Sequence, residues 1–297
     1  MTQGAFDRMS LLGFLGPVPT KADLAVECLE RVDCGRYVRE KIRYSVGPGE
    51  FVSAFVCVPH DLTGPAPTVF CHHQHASRFD LGKSEVVGLA GDPDQAYAHE
   101  LAERGFVTIA PDAIGFEERN WSPDGASNVT WFESSTRLVR GRTMLAACLH
   151  EISAALDYLT SRPEVDATRI GFLGHSYGGR MALWAPAYDS RITASVSNCG
   201  CIPFRHSYSH DTGIHAEFVV PGFAASHDLE DVIACFDRTA LLISAGTADK
   251  WSRGAEELFA AVERQLGDRA ELALYEGGHV FTPAMRERAY QFLTDRC

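Results

Sequence analysis

The stretch FLGHSYGG, Phe172 to Gly179, contains Gly174-His175-Ser176-Tyr177-Gly178, a serine between two glycines at the spacing G-x-S-x-G. The run RIGFL before it is strand-like and GGRMALWA after it is helical, so the pentapeptide falls at a strand-to-helix turn. Glycines on both sides of Ser176 permit a turn tight enough to expose its hydroxyl above a sheet, in a conformation other residues resist. A serine hydroxyl is a weak nucleophile near neutral pH. It needs a histidine to take its proton and a carboxylate to orient that histidine. Two later segments offer these groups. LLISAGTADKW is a hydrophobic strand that runs into a polar turn, placing Asp249 at a strand's C-terminal edge, and LALYEGGHVF is a strand followed by two glycines and His279. Ser176, Asp249 and His279 are the expected nucleophile, acid and base, in the chain order of serine hydrolases with a strand-turn-helix nucleophile. Glu276 is a rival acid, but it lies too close to His279 in sequence to reach the far ring nitrogen.

A second group of reactive residues is CHHQHASRF, where His72, His73 and His75 follow an apolar run. A metal site needs ligands that converge, commonly with further His or Asp at defined spacing, and the HxH here lacks a DxH continuation. The expectation is no metal and no cofactor. His206, His210, His215 and His227 are spread through a later segment and read as polar loop residues. Glu117, Glu118 and Arg119 read as salt-bridging residues of the active-site loops, with contact to substrate as the alternative.

Positioning these residues requires an α/β fold. From about Phe51 onward, apolar runs bounded by Pro, Gly and polar turns alternate with segments of helical spacing: EFVSAFVCVP, PTVFCH, YAHELAERG, FVTIAPD, TMLAACLHEISAALDYLTSR, ITASVSNCG, ALLISAGTAD, GAEELFAAVERQLG and PAMRERAYQFLTDR. One doubly wound, mostly parallel sheet flanked by helices accounts for this order, as a single domain over residues 1–297 without a large separate cap. Residues 1–45 are expected to form a helical N-terminal extension, and residues 201–234 loops and short helices that cover the sheet.

Composition narrows the function class. The chain has 297 residues, 45% hydrophobic and 22% charged, and no apolar run near the roughly 18 residues of a membrane span. A net charge of −12 would repel phosphate backbones, and no Lys/Arg run compensates, which excludes nucleic acid as the expected partner. The N-terminal residues carry no basic leader or long apolar centre, and the nine cysteines are odd in number and show no CxxC pair, so a cytoplasmic protein with reduced thiols is expected.

Over most of its length the chain resembles the α/β-hydrolases of the dienelactone hydrolase and acetyl xylan esterase-like group. The resemblance rests on HQH after an early strand, GKSEVVGL, ELAERGFVTIAPDAIGFEER, SRPEVDATRIGFLGHSYGGR, VPGF, LLISAGTAD and GGH. Dienelactone hydrolases proper use a cysteine nucleophile where this chain has Ser176, so their substrate does not carry over and serine esterases are the nearer comparison. In such a fold, the loop after an early strand supplies one oxyanion-hole amide and the residue after the nucleophile supplies the other. HHQHA lies on that loop. Tyr177 is then expected to give one N–H and His75 or Gln74 the other, while His73 matches the family's HG histidine and supports the turn.

The expected activity is hydrolysis of a small-molecule carboxylic ester or lactone through an acyl-serine intermediate. Amide or carbon-carbon hydrolysis and acyl transfer use the same machinery and stay open, as does a homo-oligomeric state; a non-catalytic binding protein is disfavoured because all three catalytic residue types are kept. Phe79, Trp131, Phe132, Phe204 and Tyr208 are candidate pocket walls, and Cys71 is the thiol nearest the histidine loop in sequence.

Overall fold

The computed structural model describes residues 6–21 and 23–297. Nine strands form one sheet: β1 (Glu27–Asp33), β2 (Tyr37–Gly47), β3 (Glu50–Pro59), β4 (Ala66–His72), β5 (Val107–Pro111), β6 (Val165–His175), β7 (Ala194–Asn198), β8 (Ala240–Gly246) and β9 (Ala270–Tyr275). Their spatial order is β1-β2-β3-β5-β4-β6-β7-β8-β9. The first four in that order pair antiparallel, and from β5 through β9 every pairing is parallel. Helices cover both faces, with Met144–Thr160, Tyr177–Tyr188 and Ala255–Leu266 contributing to one apolar layer and Tyr97–Glu103 and Pro283–Arg296 to the other. Burial on both sides explains why β5, β7 and β8 are continuously apolar or small rather than alternating.

The expected helical extension over residues 1–45 is corrected. Among the described residues only Arg8–Leu15 is helical there; β1 and most of β2 follow after a stretch without regular structure, and Met1 to Ala5 and Ala22 lie outside the described residues. The reason is visible in YVREKIRYSV, where Tyr37, Glu40, Ile42, Tyr44 and Val46 are buried. From Glu40 on, that spacing has period two, and β-branched and aromatic residues suit a strand with one buried face. Residues 201–234 consist of loops, three single 3₁₀ turns and the short helix Leu229–Ala234.

A parallel arrangement puts the C-terminal ends of β4, β6, β8 and β9 at the same edge. The histidine loop, Ser176, Asp249 and His279 follow these four strands in turn. The helix after Ser176 starts so close to β4 that a Cβ on Gly178 would stand 2.1 Å from the His72 carbonyl oxygen, and one on Gly174 would stand 2.2 Å from the Gly178 carbonyl carbon. Both obstacles are backbone, which cannot rotate away. Gly178→Ala should therefore lower stability by about 3 kcal/mol, the upper end for forced overpacking, read as a shifted urea midpoint. An unchanged midpoint would mean that the helix start is free to move off β4.

Candidate active site

Ser176 sits between β6 and the helix Tyr177–Tyr188 with φ 58° and ψ −112°. A non-glycine residue in this region is strained, at a cost of about 1–3 kcal/mol. The surrounding backbone holds it there: the Ser176 amide donates to Asn198 O (2.8 Å), and the Arg180 amide donates to Ser176 O (2.9 Å). Its hydroxyl Oγ lies 2.8 Å from His279 Nε2, and His279 Nδ1 lies 3.0 Å from Asp249 Oδ1. Because an ionised carboxylate only accepts, Nδ1 carries the ring proton and Nε2 presents its lone pair to the serine hydroxyl.

Asp249 caps a short 3₁₀ turn after β8. Its Oδ1 accepts the Trp251 amide (3.0 Å) and its Oδ2 accepts the Ser252 hydroxyl (2.6 Å). Burial alone would raise its carboxyl, but the hydrogen bonds from His279, Ser252 and Trp251 hold it below its ordinary value. The loop that carries His279 is tied to its neighbours by Ala248 N–H to Gly277 O (2.8 Å) and by the Asn198 amide to Val280 O (3.2 Å). Glu276 is exposed and makes no hydrogen bond or ion pair among the described residues, so the acid that contacts His279 is Asp249.

The histidines of HHQHA have separate tasks. His72 Nδ1–H donates to the His73 carbonyl (2.9 Å). His73 uses both ring nitrogens on backbone, donating from Nδ1 to Gln74 O (2.7 Å) and accepting the Ala113 N–H at Nε2 (3.1 Å), which ties the loop to the end of β5. His75 accepts the Ser77 N–H at Nδ1 (3.0 Å), so its Nε2 carries the proton. The Gln74 side chain donates to both Glu85 oxygens (3.2 Å each). Burial depresses His72 and His75 to about 3 and His73 to about 4, so all three are neutral at physiological pH. The amides of Gln74 and His75 have no protein acceptor among the described hydrogen bonds. The Tyr177 amide belongs to the first turn of its helix, where N–H groups lack intrahelical partners.

Among the described residues, besides Cys199 with Asp249 and His279 and Asp112 with Glu117 and Glu118, one further cluster brings metal-type ligands together: atoms of His75, His215 and Glu217 lie within 4.8 Å of one another. The protonation pattern does not suit an ion. His75 would have to offer a lone pair at Nε2, yet the Ser77 amide already claims the lone pair at Nδ1, whereas metal-bound imidazoles donate from the far nitrogen. Glu117 and Glu118 likewise enclose a cation already present in the chain. Lys83 Nζ, fully buried, contacts Asp112 (2.7 Å), Glu117 (2.6 Å) and Glu118 (2.8 Å). Burial alone would depress this ammonium, but Asp112 and Glu117 outweigh it and hold it above its ordinary value. Arg119 forms a two-pronged pair with Glu151 instead of facing the pocket.

The pocket beside Ser176 is lined by Tyr177, Arg180, Cys199, His215, Phe218 and Trp251, among others. None of the five aromatic residues expected from sequence lines it. Phe79 and Phe204 are buried behind the wall, while Trp131, Phe132 and Tyr208 are exposed. The thiol in the wall is Cys199, not Cys71, which is buried in β4. His215, expected as a polar loop residue, is part of the wall, packed on Trp251 with ring centroids 5.0 Å apart. His206 pairs with Glu257 (2.7 Å) and His227 packs on Phe6, with centroids 4.3 Å apart. Arg180 was visible in the sequence, one turn after Ser176, but nothing local distinguished it from a surface arginine.

Fold and site together define an α/β-hydrolase: a mostly parallel sheet with a strained serine between strand and helix, and a histidine-carboxylate pair from later strands at the same edge. The chain belongs to the dienelactone hydrolase family, whose sequence profile matches residues 83–292. It is 27% identical to YtaP of Bacillus subtilis (strain 168), described as a hydrolase, over 96% of this chain and 97% of that one. A carbohydrate esterase from an unknown prokaryotic organism is 31% identical over 41% of this chain and 33% of its own length. Among solved structures, the fold is similar to a glucuronoyl esterase from Solibacter usitatus (TM-score 0.73, 17% identity, 97% of this chain and 91% of that one). It is also similar to an acetyl xylan esterase from Paenibacillus sp. R4 (TM-score 0.64, 18% identity, 93% and 90%). No described helix is long and apolar enough to cross a membrane.

Behind the pocket, Glu217 is 1% exposed and neither carboxyl oxygen has a hydrogen-bond partner among the described residues. Burial pushes its carboxyl from 4.5 up to about 7. The folded state thus keeps a proton that the unfolded chain releases between those values, so this group's contribution to stability falls as pH rises through that window, by about 3 kcal/mol in all. Of its ionisable neighbours, His75 and His215 are neutral throughout the window because burial depresses them to about 3 and about 4, and Cys148 and Tyr177 stay neutral because burial pushes them up. Glu217→Gln should therefore raise the melting temperature clearly at about pH 8 and little at about pH 5. Equal shifts at both values would show that Glu217 does not titrate in this range.

Proposed function

We propose that this chain is a serine hydrolase that cleaves a small carboxylic ester through an acyl-enzyme. The observation that carries this reading is the continuous relay from Ser176 Oγ through both ring nitrogens of His279 to Asp249, at 2.8 and 3.0 Å. In the proposed reaction, His279 Nε2 takes the hydroxyl proton as Oγ attacks the carbonyl carbon, and Asp249 stabilises the imidazolium that forms. The oxyanion is met by the Tyr177 amide and by an amide of the histidine loop, Gln74 or His75, while His73 positions that loop through its bonds to Ala113 and Gln74. The same His279 returns its proton to the leaving alkoxide, and a water then repeats the sequence to release the acid. No step requires a cofactor.

Relatives named as esterases and membership of the dienelactone hydrolase family support an ester as the scissile bond. The free volume of the pocket is small, about 40 Å³, against the roughly 10–15 Å³ one water requires. That favours a short acyl group. The nine free thiols support a reducing compartment, such as the cytoplasm.

In a p-nitrophenyl ester assay, Ser176→Ala should abolish turnover with an unchanged melting temperature, and Asp249→Asn should lower kcat by roughly 10⁴-fold, as expected for a wrongly held tautomer. Glu276→Gln should be mild. Substantial turnover by the Ser176 variant would sink the assignment, and a severe Glu276 variant beside a mild Asp249 variant would move the acid. Among p-nitrophenyl esters, acetate should exceed hexanoate in kcat/KM; the reverse order would contradict a short acyl pocket.

A further inference from the structure

We infer that Arg180 forms an anion-binding subsite in the wall of the pocket that contains Ser176, and that the ligands of this pocket include a carboxylate or a similar small anion. The inference rests on the ester-hydrolase reading for its meaning in catalysis but not for its test. Three basic side chains are buried in the described structure: Lys83, Arg180 and Arg286. Lys83 is surrounded by three carboxylates, and Arg286 pairs with Asp94 (2.9 Å) and Glu100 (3.2 Å). Arg180 alone has no carboxylate within ion-pair distance among the described residues.

Its surroundings leave part of the guanidinium unused. Nη1 donates to the Ile202 carbonyl, and the planar group lies over two rings, 4.7 Å from the Phe204 centroid and 5.2 Å from that of Phe218. Among the described residues no other hydrogen bond from Arg180's side chain is made, although the group carries five N–H donors. Asp228 is the carboxylate whose charge Arg180 feels most, but its oxygens are engaged by the Phe204, Arg205 and Leu229 amides and by the Arg205 guanidinium. Burial lowers Arg180 to about 10, which leaves it charged at neutral pH.

A buried charge without a partner is costly, and an unpaired one at a pocket wall is poised for a ligand of opposite sign. Among the wall residues, Arg180 carries the one permanent charge; His215 beside it is depressed to about 4, first by burial and then by Arg180 itself. The aromatic rings fix the plane of the guanidinium, so its free N–H edge is held for a planar two-oxygen acceptor. The helix Tyr177–Tyr188 places Arg180 one turn from Ser176, so an anion held there sits beside the reacting carbonyl rather than at a remote site.

The test uses sodium acetate and its uncharged isostere acetamide as probes on the Ser176→Ala protein, where no turnover interferes. Calorimetric titration should show saturable, single-site binding of acetate and none of acetamide. Adding Arg180→Met should weaken acetate binding about tenfold or more, the range for loss of a charge-assisted hydrogen bond. Undiminished acetate binding in the Arg180→Met protein would overturn the inference, since the anion would then be held by other donors such as the backbone amides near Ser176. Absence of acetate binding in the Ser176→Ala protein would overturn it too. Should the Met variant fail to fold, the unsubstituted enzyme still decides: acetate should inhibit p-nitrophenyl ester hydrolysis competitively while acetamide does not, and equal effects of the two would refute an anion subsite. Loss of the esterase reading would leave the calorimetric arm intact, so the two failures are distinguishable.

Discussion

The close approach of the Gly178 backbone to the carbonyl of His72 is the contact on which the rest of the site depends. It sets the start of the helix Tyr177–Tyr188 against the end of β4, and the residue that joins that helix to β6 is strained. Ser176 occupies that residue at φ 58°. Strain of this kind persists where the surroundings over-determine the backbone. Here, hydrogen bonds through Asn198 and Arg180 and the glycine contacts at Gly174 and Gly178 hold the backbone on both sides of it. One arrangement therefore serves two ends: it lifts the hydroxyl toward His279 and frees first-turn amides beside it.

Around this turn, burial sets charge. The imidazoles of His72, His73, His75 and His175 are all pushed well below neutrality by loss of water, so they act as fixed hydrogen-bonding pieces rather than as bases. His175 accepts the Asn198 side-chain amide at Nδ1 (2.7 Å), and that same Asn198 side chain also holds the Val280 carbonyl next to His279. His279 has a carboxylate at one nitrogen and a hydroxyl at the other, the contacts on which the proposed reaction rests. The ion cluster of Lys83, Asp112, Glu117 and Glu118 lies behind the histidine loop and joins the segment after it to the end of β5. Its cation is enclosed and has no donor to spare for a ligand. Arg180 differs in that respect, being buried, charged and only partly bonded.

The comparison of sequence with structure turns on how local each signal is. Ser176, Asp249 and His279 were legible because each follows an apolar strand with a turn of small residues, and a parallel sheet sends all such turns to one edge. The N-terminal strands were missed because RVDCGRYVREKIRYSV mixes charged and apolar residues so closely that period two is hard to tell from helical spacing until a partner strand shows which face is buried. The aromatic wall was misplaced for a related reason. Phe218 and Trp251 reach the pocket from two separate loops, and nothing near either residue distinguishes them from Phe132 or Tyr208, which face solvent.

By itself the sequence determined which groups the fold would bring to one edge: a serine at a tight strand-helix turn, a carboxylate and a histidine after later strands, and enough alternating apolar segments for one mostly parallel sheet. These depend on short-range patterns that backbone geometry translates directly into position. The tertiary structure decided everything that requires knowing which groups lose their water together. It set the tautomers of the histidine loop, the enclosure of Lys83 by three carboxylates, the buried carboxyl of Glu217 without a hydrogen-bond partner among the described residues, and the place of the partly bonded Arg180 in the pocket wall. Desolvation is a property of packing between segments far apart in the chain, so no window of sequence contains it.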